Sequence, residues 1–326
     1  MTDRTEWAAA SQAVDEAQSI LIATHISPDG DAIGSLLGLG NALRLRGCSV
    51  TCVVDGGVPG TFRFLPGADE VRDTPTSGQW DLMISVDSSD EERTGQSGVY
   101  GRAHSARVIN LDHHITNTHF GDIFLVMPSA VSATEVVYHW LHEWQQPLAL
   151  EVAVPLLTGL VTDTLGFRTS NVTANSMRMA VELMEIGAPL AEITQRTLSS
   201  MSYRVLDLWK HSLATVQLHD QVIEATITQA DLHAVGLDDV TDGGLVQLLV
   251  TINEARIAVV FKEVDSSNVE ISLRSRPGYD VAQVAFSLGG GGHPQASGAT
   301  VDGTLNSVRE RVLPLLQAVT FQNNSN

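Results

Sequence analysis

Apolar residues recur at helical spacing over 7–19 and then run together in SILIATH (19–25), which predicts an amphipathic helix followed by a short buried strand. DAIGSLLGLGNALRLRG (31–47) returns to helical spacing and stops at a glycine, a usual C-terminal signal. SVTCVVDG supplies the next strand. DLMISVDSSD (81–90) and ARVINLDHH (106–114) read as two more strands of the buried type, and SATEVVYHWLHEW as a long helix. EVAVPLLTGLVTDT reads as an apolar helix ending near Asp163, although periodicity leaves a strand open there. Strands alternating with helices predict a parallel α/β sheet.

From about 173 to 214 the pattern is helical, in NSMRMAVELMEIGA and SYRVLDLWKHSL. Beyond it the texture changes. ATVQLHDQVIEATIT, ARIAVVFKEVD and NVEISLRSRPG alternate as strands do, with GGLVQLLVTIN and YDVAQVAFSLG helix-like between them. The chain therefore divides into an α/β domain over 1–192, a linker helix over 193–214 and a smaller α+β domain over 215–326. There is no internal repeat, and the run of glycines at 289–292 is the single low-complexity tract. FQNNSN at the end reads as a frayed tail.

The length of 326 residues agrees with two domains, at roughly 100–200 residues each. The balance is acidic, 38 Asp and Glu against 19 Lys and Arg, and no basic run occurs. A track for long nucleic acid needs a basic stripe to neutralise phosphates. Any nucleic-acid substrate should therefore be short, or held at a local arginine cluster. Lys210 and Lys262 are the only lysines. Cys48 and Cys52 lack the further partners that a zinc site needs, and read as two small buried hydrophobes in a reducing compartment. The first residues hold no continuous apolar segment of the signal-peptide kind, and no run approaches ~18 apolar residues. A cytoplasmic protein without membrane contact is expected.

The candidate chemistry lies where strands end. The first strand runs into THISPDGDAIGS, with His25, Asp29 and Asp31; another ends at Asp87, and a third at Asp112, His113 and His114. Asp163 closes the TGLVT run. Each has a plain alternative: Asp29-Gly30 is an ordinary turn pair, and Asp31 could cap the helix that begins there. Together, four segments deliver carboxylate or imidazole to one edge, where open α/β sheets bind ligands. Packed carboxylates repel one another unless cations join them. Oxygen and imidazole donors without thiolate suit manganese, magnesium or similar ions. The donors are too many for one tetrahedral site, and two ions about 3.5–4 Å apart would activate water against a phosphate ester.

THISPDGDAIGS, ISVDSSD, NLDHHITN and GLVTDTLGFRTSN, in that order, with GGGGHPQASG further on, resemble the DHH phosphoesterase family and its associated domain. The resemblance spans about 19–300. It implies a Rossmann-like DHH catalytic domain, a smaller C-terminal DHH-associated domain that binds substrate, and an active-site cleft between them. It also implies that His25 and Asp29 hold one ion with Asp87 bridging, while Asp31, His113 and Asp163 complete the second. His114 would face the scissile phosphate, and Asp112 would orient a histidine. Gly290, Gly291, Gly292, His293 and Arg274 would bind the substrate phosphate. Taken alone, four glycines read as a flexible loop. Arg276 and Arg256 are weaker candidates, Phe167 is either a base-stacking or a core residue, and Ser27 stands where relatives often have Asn.

The length and layout are most like the family members that degrade very short oligoribonucleotides and remove the 3′-phosphate of 3′-phosphoadenosine 5′-phosphate. The resemblance implies two Mn²⁺, with Mg²⁺ or Co²⁺ as substitutes, and short RNA or DNA oligonucleotides or small nucleotides as partners. It leaves open whether the enzyme is a homodimer. A cyclic or linear di-adenylate phosphodiesterase would use the same scaffold. A family-II pyrophosphatase would carry a basic motif in its second domain, and a RecJ-like nuclease should be larger and more basic. A catalytically dead nucleotide-binding regulator would have lost ligands, and none is lost here.

Overall fold

Each apolar run becomes a strand where helices can cover it on both sides. A computed structural model describes residues 4–323 and divides the chain into two units, Met1–Ser200 and Met201–Asn326. The first unit opens with α1 (Arg4–Glu16), β1 (Ser19–Ala23), α2 (Gly30–Leu45), β2 (Ser49–Val53) and β3 (Trp80–Val86). It continues through α3 (Gly95–Ala103), β4 (Ser105–Asp112), β5 (Ile123–Val126), α4 (Ala133–Glu143), α5 (Leu150–Asp163), α6 (Ala174–Ile186) and α7 (Leu190–Leu198). All strand pairs are parallel, in the order β2-β1-β3-β4-β5. The order reverses direction at β1 and β3, which is where such sheets open a crevice. The segment that periodicity left open is the helix α5, and the four-residue β5 is too short for its pattern to announce.

Helix α2 is buried from Gly30 to Leu43, so it is a core element rather than an amphipathic one. Gly30, Gly34 and Gly38 fall every four residues and share one face. A Cβ at 34 would lie 2.6 Å from the Pro155 carbonyl oxygen and 2.9 Å from the Gly159 nitrogen, so α2 and α5 approach backbone to backbone. Pro155 cannot donate to the Glu151 carbonyl one turn back. Asn41 Nδ2 donates to that oxygen instead, at 2.8 Å, and to the Pro66 carbonyl at 2.9 Å. The proline inside α5 thus leaves no orphaned acceptor there.

The second unit comprises α8 (Tyr203–Leu213), β6 (Gln217–His219), β7 (Val222–Ile227), α9 (Gln229–Ala234), α10 (Leu245–Leu249) and β8 (Ile257–Glu263). Then follow β9 (Asn268–Ser275), α11 (Ala282–Ser287), β10 (Gly291–His293), β11 (Ala296–Asp302) and α12 (Leu305–Asn323). Its sheet runs β10-β11-β9-β8-β7-β6, antiparallel except between β7 and β8. Alternation in β9 sends Val269, Ile271 and Leu273 into one core with α11 and α12. Ala258 and Val260 of β8 pack on the opposite face, with residues of α8, α9 and α10.

Residues 193–214 hold the end of α7 and all of α8, with Ser199–Ser202 between them. Of the expected tail, 321–323 continue α12 and the rest lies outside the described residues. No helix among the described residues is long and apolar enough to cross a membrane.

The contact between α2 and α5 generates a first expectation. Gly34→Val forces a side chain into the Pro155 carbonyl, and overpacking of this kind destabilises by about 1–3 kcal/mol. A thermal melt of the variant should show the loss; an unchanged melting temperature would contradict the close approach.

Candidate metal centre

Parallel register sets the level at which the strand-end groups emerge. Ala23 pairs with Ser85, and Val86 with Leu111, so His25, Asp87 and the Asp112–His114 turn leave three neighbouring strands side by side. Thr24 Oγ1 donates to the Val86 carbonyl at 3.0 Å and locks the ends of β1 and β3 together. Asp87 takes φ +55°, a left-handed conformation that Asp adopts more readily than most residues. Asp29 caps α2: its Oδ1 accepts from the Asp31 and Ala32 amides, each at 3.0 Å. The cap is therefore Asp29, and Asp31 sits inside the first turn. Asp31 receives the start of a different helix, accepting from Ala133 N at 2.5 Å, Thr134 N at 3.0 Å and Thr134 Oγ1 at 2.8 Å. The exposed amides of a helix N-terminus favour an anion.

The donor atoms fall into overlapping groups, each within 4.8 Å: His25, Asp29 and Asp87; Asp31, His113 and Asp163; and Asp87, Asp112, His113 and His114. His25 Nε2 stands 3.6 Å from Asp87 Oδ2, and His113 Nε2 stands 3.7 Å from Asp87 Oδ1. His113 Nε2 is also 3.8 Å from carboxylate oxygens of Asp31 and Asp163. These separations are too long for hydrogen bonds. The His25 Nδ1 atom contacts the Ile26 carbonyl at 2.8 Å, which directs the Nε2 lone pair toward Asp87.

Asp112 is occupied differently. Its Oδ1 accepts from the His113 amide and meets His114 Nδ1, both at 2.8 Å, and its Oδ2 accepts from Asn117 Nδ2 at 2.6 Å. Burial alone would raise its pKa, but the His114 bond and charge, with Asn117 and His113, hold it below the usual carboxylate value. The same contact raises the His114 pKa against the opposing effect of burial. The two neighbouring histidines are thus aimed differently.

Asp87 and Asp163 have no comparable set of donors. Burial, then the charges of Asp31, Asp29, Asp112 and Asp163, push Asp87 well above the ordinary carboxylate range. Burial and the Asp31 and Asp29 charges do the same to Asp163. Asp31 is raised to about 7 by burial and Asp29, despite its amide donors. Burial pushes the His25 imidazole down, toward the neutral form that ligates metal. Asp87 Oδ1 is buried and has no hydrogen-bond partner among the described residues. An orphaned carboxylate oxygen among like charges, with imidazoles and no thiolate, fits divalent cations of the hard or borderline kind.

Comparison with known proteins agrees with this arrangement. Residues 19–160 match the DHH family, N-terminal domain, and residues 222–319 match the DHHA1 domain. The chain is 36% identical to the bifunctional oligoribonuclease and PAP phosphatase NrnA of Thermus thermophilus, over 90% of this chain and 88% of that one. The chain belongs to the DHH family. The NrnA of Bacillus subtilis is 28% identical over 87% of this chain and 89% of its own. Among solved structures, an exopolyphosphatase-related protein from Bacteroides fragilis has the same fold, with TM-score 0.89, 23% identity and 98% of each chain covered.

In the DHHA1 domain, the glycine run is an edge strand and its approach, not a flexible loop. A Cβ at Gly290 would come within 2.1 Å of the Gly298 carbonyl oxygen, and one at Gly292 within 2.5 Å of the Ala296 oxygen. The glycines let β10 press against β11. His293 pairs with Ala296, and Ala296 with Arg274, so the three share one row and one face of the sheet. Arg276 donates to the Val250, Thr251 and Ile252 carbonyls and so closes the end of α10. Arg256 donates to the Asn253 and Ala255 carbonyls. In the DHH domain, Phe167 packs against the core. Ser27 adopts φ +53° in the turn after His25.

The sequence reading did not single out Thr134 or Asn117. Asn117 stands inside the NLDHHITN motif, and Ser132, the cap of α4, lies two residues before Thr134. Those motif and cap positions were the available signals.

The raised carboxyls set a pH dependence. From the ordinary 3.8 up to about 7, metal-free folded protein keeps a proton on Asp31 that the unfolded chain has released. Asp87 and Asp163 act in the same direction. The folded state then binds more protons, so stability falls as pH rises through this window. Metal-free protein should melt lower at about pH 8 than at about pH 5, and added Mn²⁺ should reverse the loss. Asp87→Asn should raise the metal-free melting temperature at the higher pH and remove the gain from Mn²⁺.

Proposed function

We propose that this chain hydrolyses short oligoribonucleotides to mononucleotides and removes the 3′-phosphate of 3′-phosphoadenosine 5′-phosphate, with two Mn²⁺ as cofactors. The observation that carries the reading is the pair of three-donor groups linked through Asp87 and His113, with a partnerless buried oxygen on Asp87. The names of the Thermus and Bacillus relatives supply the substrate class. In the reading, His25, Asp29 and Asp87 hold one ion, and Asp31, His113 and Asp163, with Asp87 shared, hold the other. Such ions supply an activated water and neutralise charge on the reacting phosphate.

The protein's own groups divide the remaining work. His114, its Nδ1 held by Asp112, presents the opposite edge of its ring to a phosphate oxygen. Asn117 fixes the far oxygen of Asp112 and so the direction of that ring. In the DHHA1 domain, Arg274 and His293 bind the substrate phosphate, with Gly290, Gly291 and Gly292 holding the strand that carries His293. A net charge of −19 matches a small substrate held by few cations rather than a polymer track.

Turnover of a ribodinucleotide, 3′-phosphoadenosine 5′-phosphate, cyclic di-adenylate and pyrophosphate should be measured side by side with Mn²⁺. Hydrolysis of the first two should lead; turnover of pyrophosphate alone would reject the proposal. Asp87→Ala should abolish activity in a folded protein. Replacing His113 with Ala should lower bound Mn²⁺, whereas His114→Ala should keep the metal and lose turnover; equal metal loss in both would refute the division between them.

A second expectation concerns the phosphate seat. Arg274→Ala and His293→Ala should raise KM or lower kcat/KM by about tenfold or more without changing metal content. Loss of metal in either variant would assign it a different role.

A further inference from the structure

Buried charges are ordinarily paired, and two cations largely withdrawn from water, Lys262 and Arg309, follow that rule. Arg309 meets Glu224, and Lys262 meets Glu270. Arg274 does not. Its side chain is part-buried, and among the described residues no carboxylate comes within ion-pair distance. Burial pulls its pKa down, and the more distant charge of Asp242 offsets this only in part. Its described contacts are both neutral: Nε donates to Gln247 Oε1 at 2.9 Å, and Nη1 donates to its neighbour's carbonyl, Leu273 O, at 2.9 Å.

A guanidinium has five N–H donors in a rigid fork. Among the described residues two are engaged, so three remain, including both on Nη2. Gln247 thus holds the fork by its Nε side and leaves the Nη2 end open, where a phosphate can be met by two parallel bonds. The acceptor is an amide, so it fixes direction without neutralising the charge. Gln247 is itself well anchored. It lies on α10, whose C-terminal carbonyls are held by Arg276, while Trp209 Nε1 donates to the Asp242 carbonyl just before the helix at 2.8 Å.

We propose that Gln247 is a positioning residue for substrate binding: a neutral brace that orients Arg274 toward the substrate phosphate while preserving its full charge. The inference rests on the assignment of Arg274 to phosphate binding. It adds that the uncharged character of position 247, not only its reach, sets affinity for phosphate-bearing nucleotides.

The test uses full-length, Mn²⁺-loaded protein and the variants Gln247→Glu, Gln247→Ala and Arg274→Ala. KM and kcat are read on 3′-phosphoadenosine 5′-phosphate, Kd for the same nucleotide by calorimetry, and stability by thermal melt. Gln247→Glu should raise KM and Kd by about tenfold or more while its melting temperature holds or rises, because the new carboxylate pairs with the guanidinium. Gln247→Ala should raise KM by a smaller factor with kcat and metal content retained. A purely structural role predicts instead that affinity and melting temperature fall together. That result, or an unchanged KM and Kd in Gln247→Glu, would overturn the proposal. Wild-type protein that binds the nucleotide but does not hydrolyse it would reject the proposed activity, and the Kd comparison would still decide the role of Gln247. Arg274→Ala with unaltered Kd would overturn both the phosphate seat and its brace.

Discussion

Five aspartates around one sheet edge cannot all keep their charge in a poorly solvated pocket, and the arrangement of the first unit follows from how each is answered. Asp29 is exposed and takes two amides of its own helix. Asp31 takes the amides that open α4, and Asp112 takes an amide, an imidazole and a carboxamide. Asp87 and Asp163 receive no comparable set of donors, and their pKa values rise accordingly. The fold neutralises part of its own repulsion and leaves the remainder to cations. That remainder is a driving force for metal binding, built in by burial.

The helices that answer these charges also hold the geometry. Asp31 rides at the start of α2, Asp163 at the end of α5, and their distance from one another depends on two helices that touch through glycine. A Cβ at Gly159 would lie 2.7 Å from Asp31 Oδ1 and would also strike Thr134. Position 159 is therefore a meeting point of α2, α4 and α5, where packing and electrostatics are inseparable. The second unit shows the same economy, because the glycines before His293 are required by the close packing of β10 against β11.

Much of this was legible in the sequence because charge and periodicity are local signals. An apolar run that stops at Asp87 or Asp112 announces both a strand and the edge at which its acid emerges. What escaped notice was neutral or distant. Thr134 meets Asp31 across 103 positions, and a threonine near a helix start carries no mark of that partnership. The capping choice between Asp29 and Asp31 turns on backbone angles, which composition does not encode. Arg274, Arg276 and Arg256 look alike as residues. They differ only in which acceptors surround them: among the described residues, three carbonyls hold the Nε and Nη2 donors of Arg276, whereas no acceptor takes the Nη2 donors of Arg274. Phe167 could be assigned to the core only once its neighbours were known.

The left-handed backbone at Asp87 has a consequence for how this site can change over time. The position demands a carboxylate and, in the same residue, a φ of +55°. Glycine and asparagine tolerate that backbone but carry no charge. Glutamate carries the charge, yet its longer side chain lacks the local hydrogen bonding that eases aspartate into this region. Aspartate alone meets both demands without strain. A lineage that loses it therefore has no neighbouring solution to drift into, and regains that buried carboxylate only by direct reversion.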